Sequence, residues 1–268
     1  MLYKYLSPDR IDVLQNLKIR FTQPCSLNDP FESALLIRTD AFQTFKENLE
    51  REAANLAPKS EEDRQLLEET KAELLEQAKH SMAPHAVGRE LSDYLNRSQG
   101  VLSLSRTNDS LLMWAHYCNS HRGYVLGLDD THPWLYQQNG LGESTRPHNV
   151  IYTSRRIAVQ EDAEDLYDRL LCYKSLEWAY EQEVRILRTF GAHDEPSGDN
   201  DINKVHLFDI PKECIKEIYI GANADSSLFN AVFEAIFRKK LDVKIFVAYV
   251  DDERYALNFR PIEDHSPD

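Results

Sequence analysis

Strand-like runs in this chain are short and alternate with helix-like runs at irregular intervals, and that rhythm narrows the fold more than any single motif does. Leu2-Tyr-Lys-Tyr-Leu6 alternates and is rich in tyrosine, as a strand would be. Ser7-Pro8-Asp9 follows with an N-cap residue, a proline for the first helical position and an acid for the first turn. Ile11, Leu14 and Leu17 continue at helical spacing, and residues 17–22 alternate again. Further strands are expected at 100–105, 123–129, 149–153, 184–188, 204–208, 215–220 and 243–250. Helices are expected over 84–97, 111–120, 161–178 and 225–237, with Thr107-Asn108-Asp109 capping the second of them, and residues 192–201 read as a polar loop. No repeat period is evident. The pattern predicts one α+β domain on a mixed, mostly antiparallel sheet.

Residues 40–82 break the rhythm. Two helical runs, 40–56 and 60–81, meet at Ala57-Pro58-Lys59, and Ser60 with Asp63 gives the second a capped start. Leu66, Leu67, Leu74 and Leu75 form a narrow apolar stripe, while most other positions are Glu, Lys, Gln or Ala. The segment reads as an inserted helical hairpin, either a surface ornament or an arm for a protein partner.

Charge and cysteine usage exclude some functions. A formal net charge of −14 disfavours a sequence-independent grip on nucleic acid, which needs clustered Lys and Arg. Cys25, Cys118, Cys172 and Cys214 show no ligand spacing and read as reduced thiols of a cytoplasmic protein. No run approaches the ~20 apolar residues of a membrane span, and no P-loop or GxGxxG turn follows a strand.

Two stretches concentrate chemistry. In the helix before Gly123, Leu111, Trp114, Ala115 and Cys118 fall on one face, which is expected to be core. His116 projects from nearly the opposite side with Tyr117 beside it. The density of Trp114, His116, Tyr117 and His121 marks either a site or a solvated helix face. His116 and His121 lack the i, i+4 spacing of a helical metal pair, so no metal is expected. In Trp178-Ala-Tyr-Glu-Gln-Glu-Val-Arg-Ile-Leu187, residues two apart share a face in extended backbone. Glu181, Glu183 and Arg185 then line one side, as a site or an ion-pair ladder, with Val184 and Ile186 in the core.

Leu2–Leu6 with Phe21–Glu32, then Ser103–Gly123, then Trp178–Leu187 together resemble the bacterial family catalogued as domain of unknown function 2971. The resemblance covers roughly 2–221, apart from the hairpin and the polar loop. The order of an aromatic-bearing strand, a short capped helix, a second strand and a late glutamate also resembles ADP-ribosyltransferases, closest to nucleic-acid-modifying toxins. In that layout the early strands cradle nicotinamide and its ribose. The resemblance implies Tyr3 or Tyr5 at the first-strand site, Glu183 as catalytic acid, Glu181 as its companion, and Ser103 and Ser105 as a Ser-x-Ser strand. Lys4 stands where the pattern has His or Arg.

The expected function is therefore NAD-dependent ADP-ribosyl transfer to a nucleic acid or protein, as by a toxin or phage-defence effector. Glu183, Glu181, His116 and Tyr5 are the expected catalytic residues. Tyr3, Asn28, Asp29, Phe31, Ser103, Ser105, Trp114, Tyr117 and Arg185 are expected at the nucleotide. On this reading Pro24 and Pro30 stiffen a wall, Phe31 packs it down, and Asn28, Asp29 and Glu32 face the ligand; otherwise Asn28-Asp29-Pro30 merely ends a strand. Two other functions fit the residues. One is a hydrolase or nuclease using His116, His121, Asp29 and Glu32, and the other is a non-catalytic regulatory protein docking through residues 40–82.

Overall fold

Leu2 and Leu6 enter one hydrophobic layer and Tyr5 enters another, so the amino-terminal strand has apolar contacts on both faces and runs through the interior of the sheet. The computed structural model describes residues 1–32, 37–38, 40–137, 145–156, 158–160, 170–190 and 205–262. The strands are β1 (Leu2–Leu6), β2 (Lys18–Phe21), β3 (Ile37–Arg38), β4 (Gln99–Ser105), β5 (Tyr124–Leu128), β6 (Pro147–Asn149) and β7 (Ile151–Thr153). They continue as β8 (Val159–Gln160), β9 (Tyr173–Ser175), β10 (Glu183–Thr189), β11 (His206–Asp209), β12 (Ile215–Ile220), β13 (Lys244–Val250) and β14 (Leu257–Pro261). The α-helices are α1 (Asp12–Asn16), α2 (Ala41–Asn55), α3 (Glu61–Ser81), α4 (Pro84–Ser98), α5 (Leu111–Tyr117) and α6 (Ser226–Lys239).

Among the described residues the main sheet has eight strands in the order β14-β13-β12-β5-β1-β4-β10-β6. Only β12 and β13 pair in parallel, across the connection that contains α6; the rest are antiparallel. The fold is α+β on a mixed, mostly antiparallel sheet, as expected. One face packs Leu2, Leu6, Leu102, Val184 and Ile186 against Val13 and Leu14 of α1 and Leu228 and Val232 of α6. The two-stranded β2–β11 ribbon closes that layer with Ile19, Phe21 and Phe208. The other face carries Tyr5, Val125 and Tyr219 under Met113, Trp114 and Cys118.

The centre of the sheet is loosely joined. β4 and β10 pair over seven register positions, from Glu183↔Ser105 to Thr189↔Gln99, but β1 meets β4 through Tyr3↔Ser105 alone. Lys4 Nζ bridges the opening by donating to Ser103 O at 2.9 Å.

Several local expectations shift. Ser7 makes no side-chain cap, and a 3-10 turn, Pro8–Ile11, precedes α1. Helix α5 is capped by Ser110, whose hydroxyl accepts from Met113 N–H, rather than by residues 107–109. Met113 and Trp114 are buried, with Cys118 just beyond the helix, while Leu111 and Ala115 are exposed; the indole N–H of Trp114 donates to Asn108 O. The expected strand 149–153 divides at buried Val150 into β6, which pairs with β10, and β7, which pairs with β9. Of the expected helix 161–178, residues 161–169 lie outside the described residues. Its end is β9 followed by the 3-10 helix Leu176–Glu181, because parallel pairing with β7 overrides local propensity. The loop 192–201 also lies outside the described residues. Strand β14 was not expected from the sequence.

After α5, Asn119, Ser120 and His121 take φ of 47°, 56° and 65°, a left-handed turn that costs roughly 1–2 kcal/mol per residue. Two glycines let neighbouring backbone close on it. A Cβ at Gly123 would lie 2.1 Å from Leu6 O, and one at Gly221 would lie 2.2 Å from His121 O. In α3 the expected capping box is present, with Ser60 and Asp63 each bonding the other's backbone N–H. Of α2 and α3 together, only Ala78 is buried. No helix among the described residues is long and apolar enough to cross a membrane.

Gly123→Ala should destabilise the protein by about 2–3 kcal/mol or more, read as a lower urea midpoint, because the new methyl has only backbone to displace. An unchanged midpoint would contradict that close approach. Replacing residues 43–79 with a short Gly/Ser linker should leave the melting temperature of the remaining fold within a few degrees of the full chain. A collapse in thermal stability would show that the hairpin supports the sheet.

Candidate functional site

Glu183 and Arg185 stand two apart on β10 and share one face, while Val184 and Ile186 turn into the core. Glu181 ends the preceding 3-10 helix, and Gln182 then takes φ 44°, which turns the chain and brings Glu181 to the same side. The hydroxyl of Ser105 fastens this corner by donating to Glu181 O at 2.7 Å. Lys174 arrives from β9, its Nζ lying 2.6 Å from Glu181 Oε2 and 3.2 Å from Glu183 Oε2.

Glu32 comes from a distant part of the chain. A 3-10 turn, Pro24–Ser26, begins its loop, and Asn96 of α4 anchors it by accepting from Cys25 N–H and from Gln23 Nε2. Asp29 Oδ1 then accepts from Phe31 N–H at 2.9 Å, and Asp29 O from Glu32 N–H at 3.1 Å. The Asn-Asp-Pro stretch is thus a turn, and of its three residues Asn28 lines the cavity described below.

One guanidinium joins the two parts. Arg185 Nε donates to Glu183 Oε1 at 2.8 Å and Nη2 to Glu183 Oε2 at 2.9 Å. Nη2 also donates to Glu32 Oε1, and Nη1 to Leu171 O. Glu32, Lys174, Glu181, Glu183 and Arg185 are each no more than 5% exposed. Breaking such a buried pair by removing one partner typically costs about 3–5 kcal/mol.

The titration of these groups follows from their neighbours. Burial alone would raise the Glu183 carboxyl, but Arg185, Lys174 and a hydrogen bond from Ser103 outweigh it and hold the group at about 2. Burial likewise opposes the charge on Lys174, and Glu183, Glu32 and Glu181 overcome it, so its pKa is raised. For Glu32, burial wins over Arg185 and Lys174, and its carboxyl is pushed up. Burial also draws Lys4 down to about 8, against the pull of Glu183.

These groups border a cavity of about 220 Å³ at the opening between β1 and β4. Tyr3, Tyr5, Tyr117, Met113, Leu27 and Leu104 line it with Lys4, Thr22, Ser26, Asn28 and Ser103. Tyr117 donates to Glu181 Oε1 at 2.5 Å and accepts from Asn28 Nδ2 at 2.6 Å. Burial and the bond to Glu181 push the Tyr117 hydroxyl well above its ordinary value.

Of the residues singled out in the sequence, Tyr3, Tyr5, Asn28, Glu32, Ser103, Tyr117, Glu181, Glu183 and Arg185 meet here, as does Lys4. The others lie outside the lining. Ser105 is buried as a tie to the Glu181 backbone, Asp29 shapes the loop, and Trp114 is core. Phe31 does not pack the loop down: it is 61% exposed, with the Arg156 guanidinium 6.0 Å from its ring. His116 is exposed beside Tyr117 and Tyr180, and His121 stacks on Trp114. Sequence reasoning missed Lys174, and also Tyr152, whose hydroxyl accepts from Glu183 N–H at 2.7 Å. Among the described residues no group of His, Cys, Asp and Glu is arranged to hold a metal ion.

Residues 113–186 match the family model described as Protein of unknown function (DUF2971). That segment runs from α5 into β10 and carries Lys174, Glu181, Glu183 and Arg185. No curated protein and no solved structure matches the chain.

A carboxyl held at about 2 in the fold, against an ordinary 4.5, binds fewer protons folded than unfolded between those pH values. Its stabilisation is therefore complete above about pH 4.5 and is lost as pH falls towards 2, a loss of about 3 kcal/mol. Glu183→Gln carries no such proton, so its unfolding free energy should fall less steeply than wild type over that window. Denaturant titrations at a series of pH values measure this, and equal slopes would contradict it.

Proposed function

We propose that the chain is an NAD-dependent ADP-ribosyltransferase-like enzyme that works at the cavity between β1 and β4. The observation that carries this reading is the charge pattern under its tyrosine walls. Three buried carboxylates are in direct contact with two cations, Lys174 and Arg185. Lys4 lines the same cavity but is bonded to Ser103 O. With its pKa at about 8 Lys4 stays charged at neutral pH and balances the third acid, and the nicotinamide ring of NAD is a pyridinium cation that the carboxylates attract locally and that stacks on aromatic faces.

The reaction breaks the bond between the ribose anomeric carbon and the pyridinium nitrogen, and the electron pair leaves with neutral nicotinamide. Positive charge develops on the ribose as an oxocarbenium-like state, which a fixed carboxylate stabilises. Glu183 suits that part through its charge, because at about 2 its carboxyl is ionised at neutral pH. Three of its acceptor positions are already taken by Arg185 and Lys174. Glu181 accepts only from Tyr117 and Lys174 among the described residues, so it keeps lone pairs for a ribose hydroxyl or for the proton of the incoming nucleophile. The acceptor's oxygen or nitrogen then bonds the anomeric carbon and loses its proton.

At about 220 Å³ the cavity is smaller than the ~300–1,000 Å³ of common ligand pockets. It suits the nicotinamide end, with the rest of the dinucleotide lying outside it. The role proposed with it is that of a toxin or phage-defence effector that modifies a nucleic acid or protein in this way.

The paired state of Glu181 and Glu183 also suits a non-catalytic binding or regulatory protein, in which the cluster only pins the Glu32 loop. One experiment separates the two. Incubated with NAD and cell lysate, the wild type should release nicotinamide and label a macromolecule, and Glu183→Gln should slow release about 100-fold or more. Absence of both products from the wild type, or equal rates in the two proteins, would leave the pinning role alone.

A further inference from the structure

The carboxylate of Glu32 is only half used. Oε1 accepts from Arg185, whereas Oε2 is buried and has no hydrogen-bond partner among the described residues. Folded proteins rarely leave a buried carboxylate oxygen in that state, and such an atom is a reason to look for a donor. Gln23 Oε1, Asp29 Oδ2 and Arg20 Nε are also buried without partners, but none of those residues lines the cavity, and Glu32 does.

Three of the donors nearby are engaged elsewhere, although Lys174 Nζ also lies 3.9 Å from Glu32 Oε1. Tyr117 O–H is given to Glu181, Asn28 Nδ2 to Tyr117, and Lys174 to Glu181 and Glu183. A ligand N–H is the natural complement to the remaining oxygen. Its direction is constrained too, since the Arg185 guanidinium that holds Glu32 Oε1 also holds both oxygens of Glu183. A flat ring anchored by a substituent at Glu32 therefore lies beside Glu183.

We propose that Glu32 determines specificity in this site by accepting, on Oε2, an N–H from the carboxamide of a pyridine ring, the nicotinamide end of NAD. This rests on the NAD-cleaving reading and adds to it the group that recognises the leaving ring. An acid substituent is disfavoured, because it brings a fourth carboxylate to three and has no proton to give. A ring bearing an acetyl group keeps the carbonyl but lacks the N–H.

The test measures binding of nicotinamide, nicotinic acid and 3-acetylpyridine to the full chain by calorimetry, alongside nicotinamide release from NAD. The wild type should bind nicotinamide at least about tenfold more tightly than either analogue. Glu32→Gln keeps an oxygen for Arg185 and puts an N–H₂ donor in place of Oε2, so its preference between amide and acid should shift by at least about tenfold towards nicotinic acid. The comparison with 3-acetylpyridine needs no variant and stands even if Glu32→Gln fails to fold. A wild type that cleaves NAD but binds nicotinamide and 3-acetylpyridine equally, or an unchanged amide-to-acid ratio in a folded Glu32→Gln, overturns the role of Glu32 alone. A wild type that binds none of the three rings and releases no nicotinamide overturns the NAD reading along with it.

Discussion

The guanidinium of Arg185 is 1% exposed and reaches three parts of the chain. It holds Glu183 on its own strand, the backbone of Leu171 just before β9, and Glu32 on the loop after β2. A buried cation of that size is tolerable only with nearly every N–H engaged, and arginine's planar fork suits several acceptors at once better than a lysine ammonium would. The position of the Glu32 loop, the pairing of β9 and the ionisation of Glu183 are in this sense one arrangement seen from three sides.

That arrangement lies beside the weakest junction of the sheet. With one register pair between β1 and β4, the backbone groups beyond Tyr3 and Ser105 do not complete a ladder, and Lys4 takes up Ser103 O instead. A regular pairing there would close the space in which the tyrosines and acids meet. The irregularity is supported from both sides: β1 is fully registered against β5 over five residues, and β4 is fully registered against β10. The opening is thus held between two rigid pairs, which is how a cavity wall keeps its shape without its own ladder.

Much of the frame was legible because it rests on local patterning. Alternating runs marked β1, β2 and β4, strands were also expected where β5, β12 and β13 lie, and Ser60 caps its helix where expected. The Glu181, Glu183 and Arg185 spacing also pointed to one side of a strand, although Glu181 joins them from a 3-10 end rather than from extended backbone. What was not legible depends on partners distant in sequence. Tyr173–Ser175 is a strand only because β7 lies beside it, so a helical reading concealed Lys174. His116 attracted notice through local aromatic density, but it is exposed on α5 and lies outside the cavity lining. Glu32 was legible as a loop carboxylate, whereas its partner lies 153 residues away.

The remaining question is why a fold would keep three acids where two cations touch them. A cluster whose only task was to pin a loop would be served as well by apolar side chains of similar volume, since replacing buried ion pairs in that way is often neutral or stabilising. Lys4 supplies the third cation at neutral pH, since burial lowers its pKa only to about 8 and a bond to a backbone carbonyl leaves its ammonium charged. Glu32 Oε2, without a partner among the described residues, has no structural benefit that Gln or an apolar residue could not supply. A buried carboxylate oxygen without a donor among the described residues, set among tyrosines at an opening in the sheet, is a cost in the empty protein that a donor-bearing ring would relieve. Stability in the absence of ligand and affinity for such a ring therefore pull in opposite directions at this one side chain, which is the expected mark of a binding residue rather than a packing one.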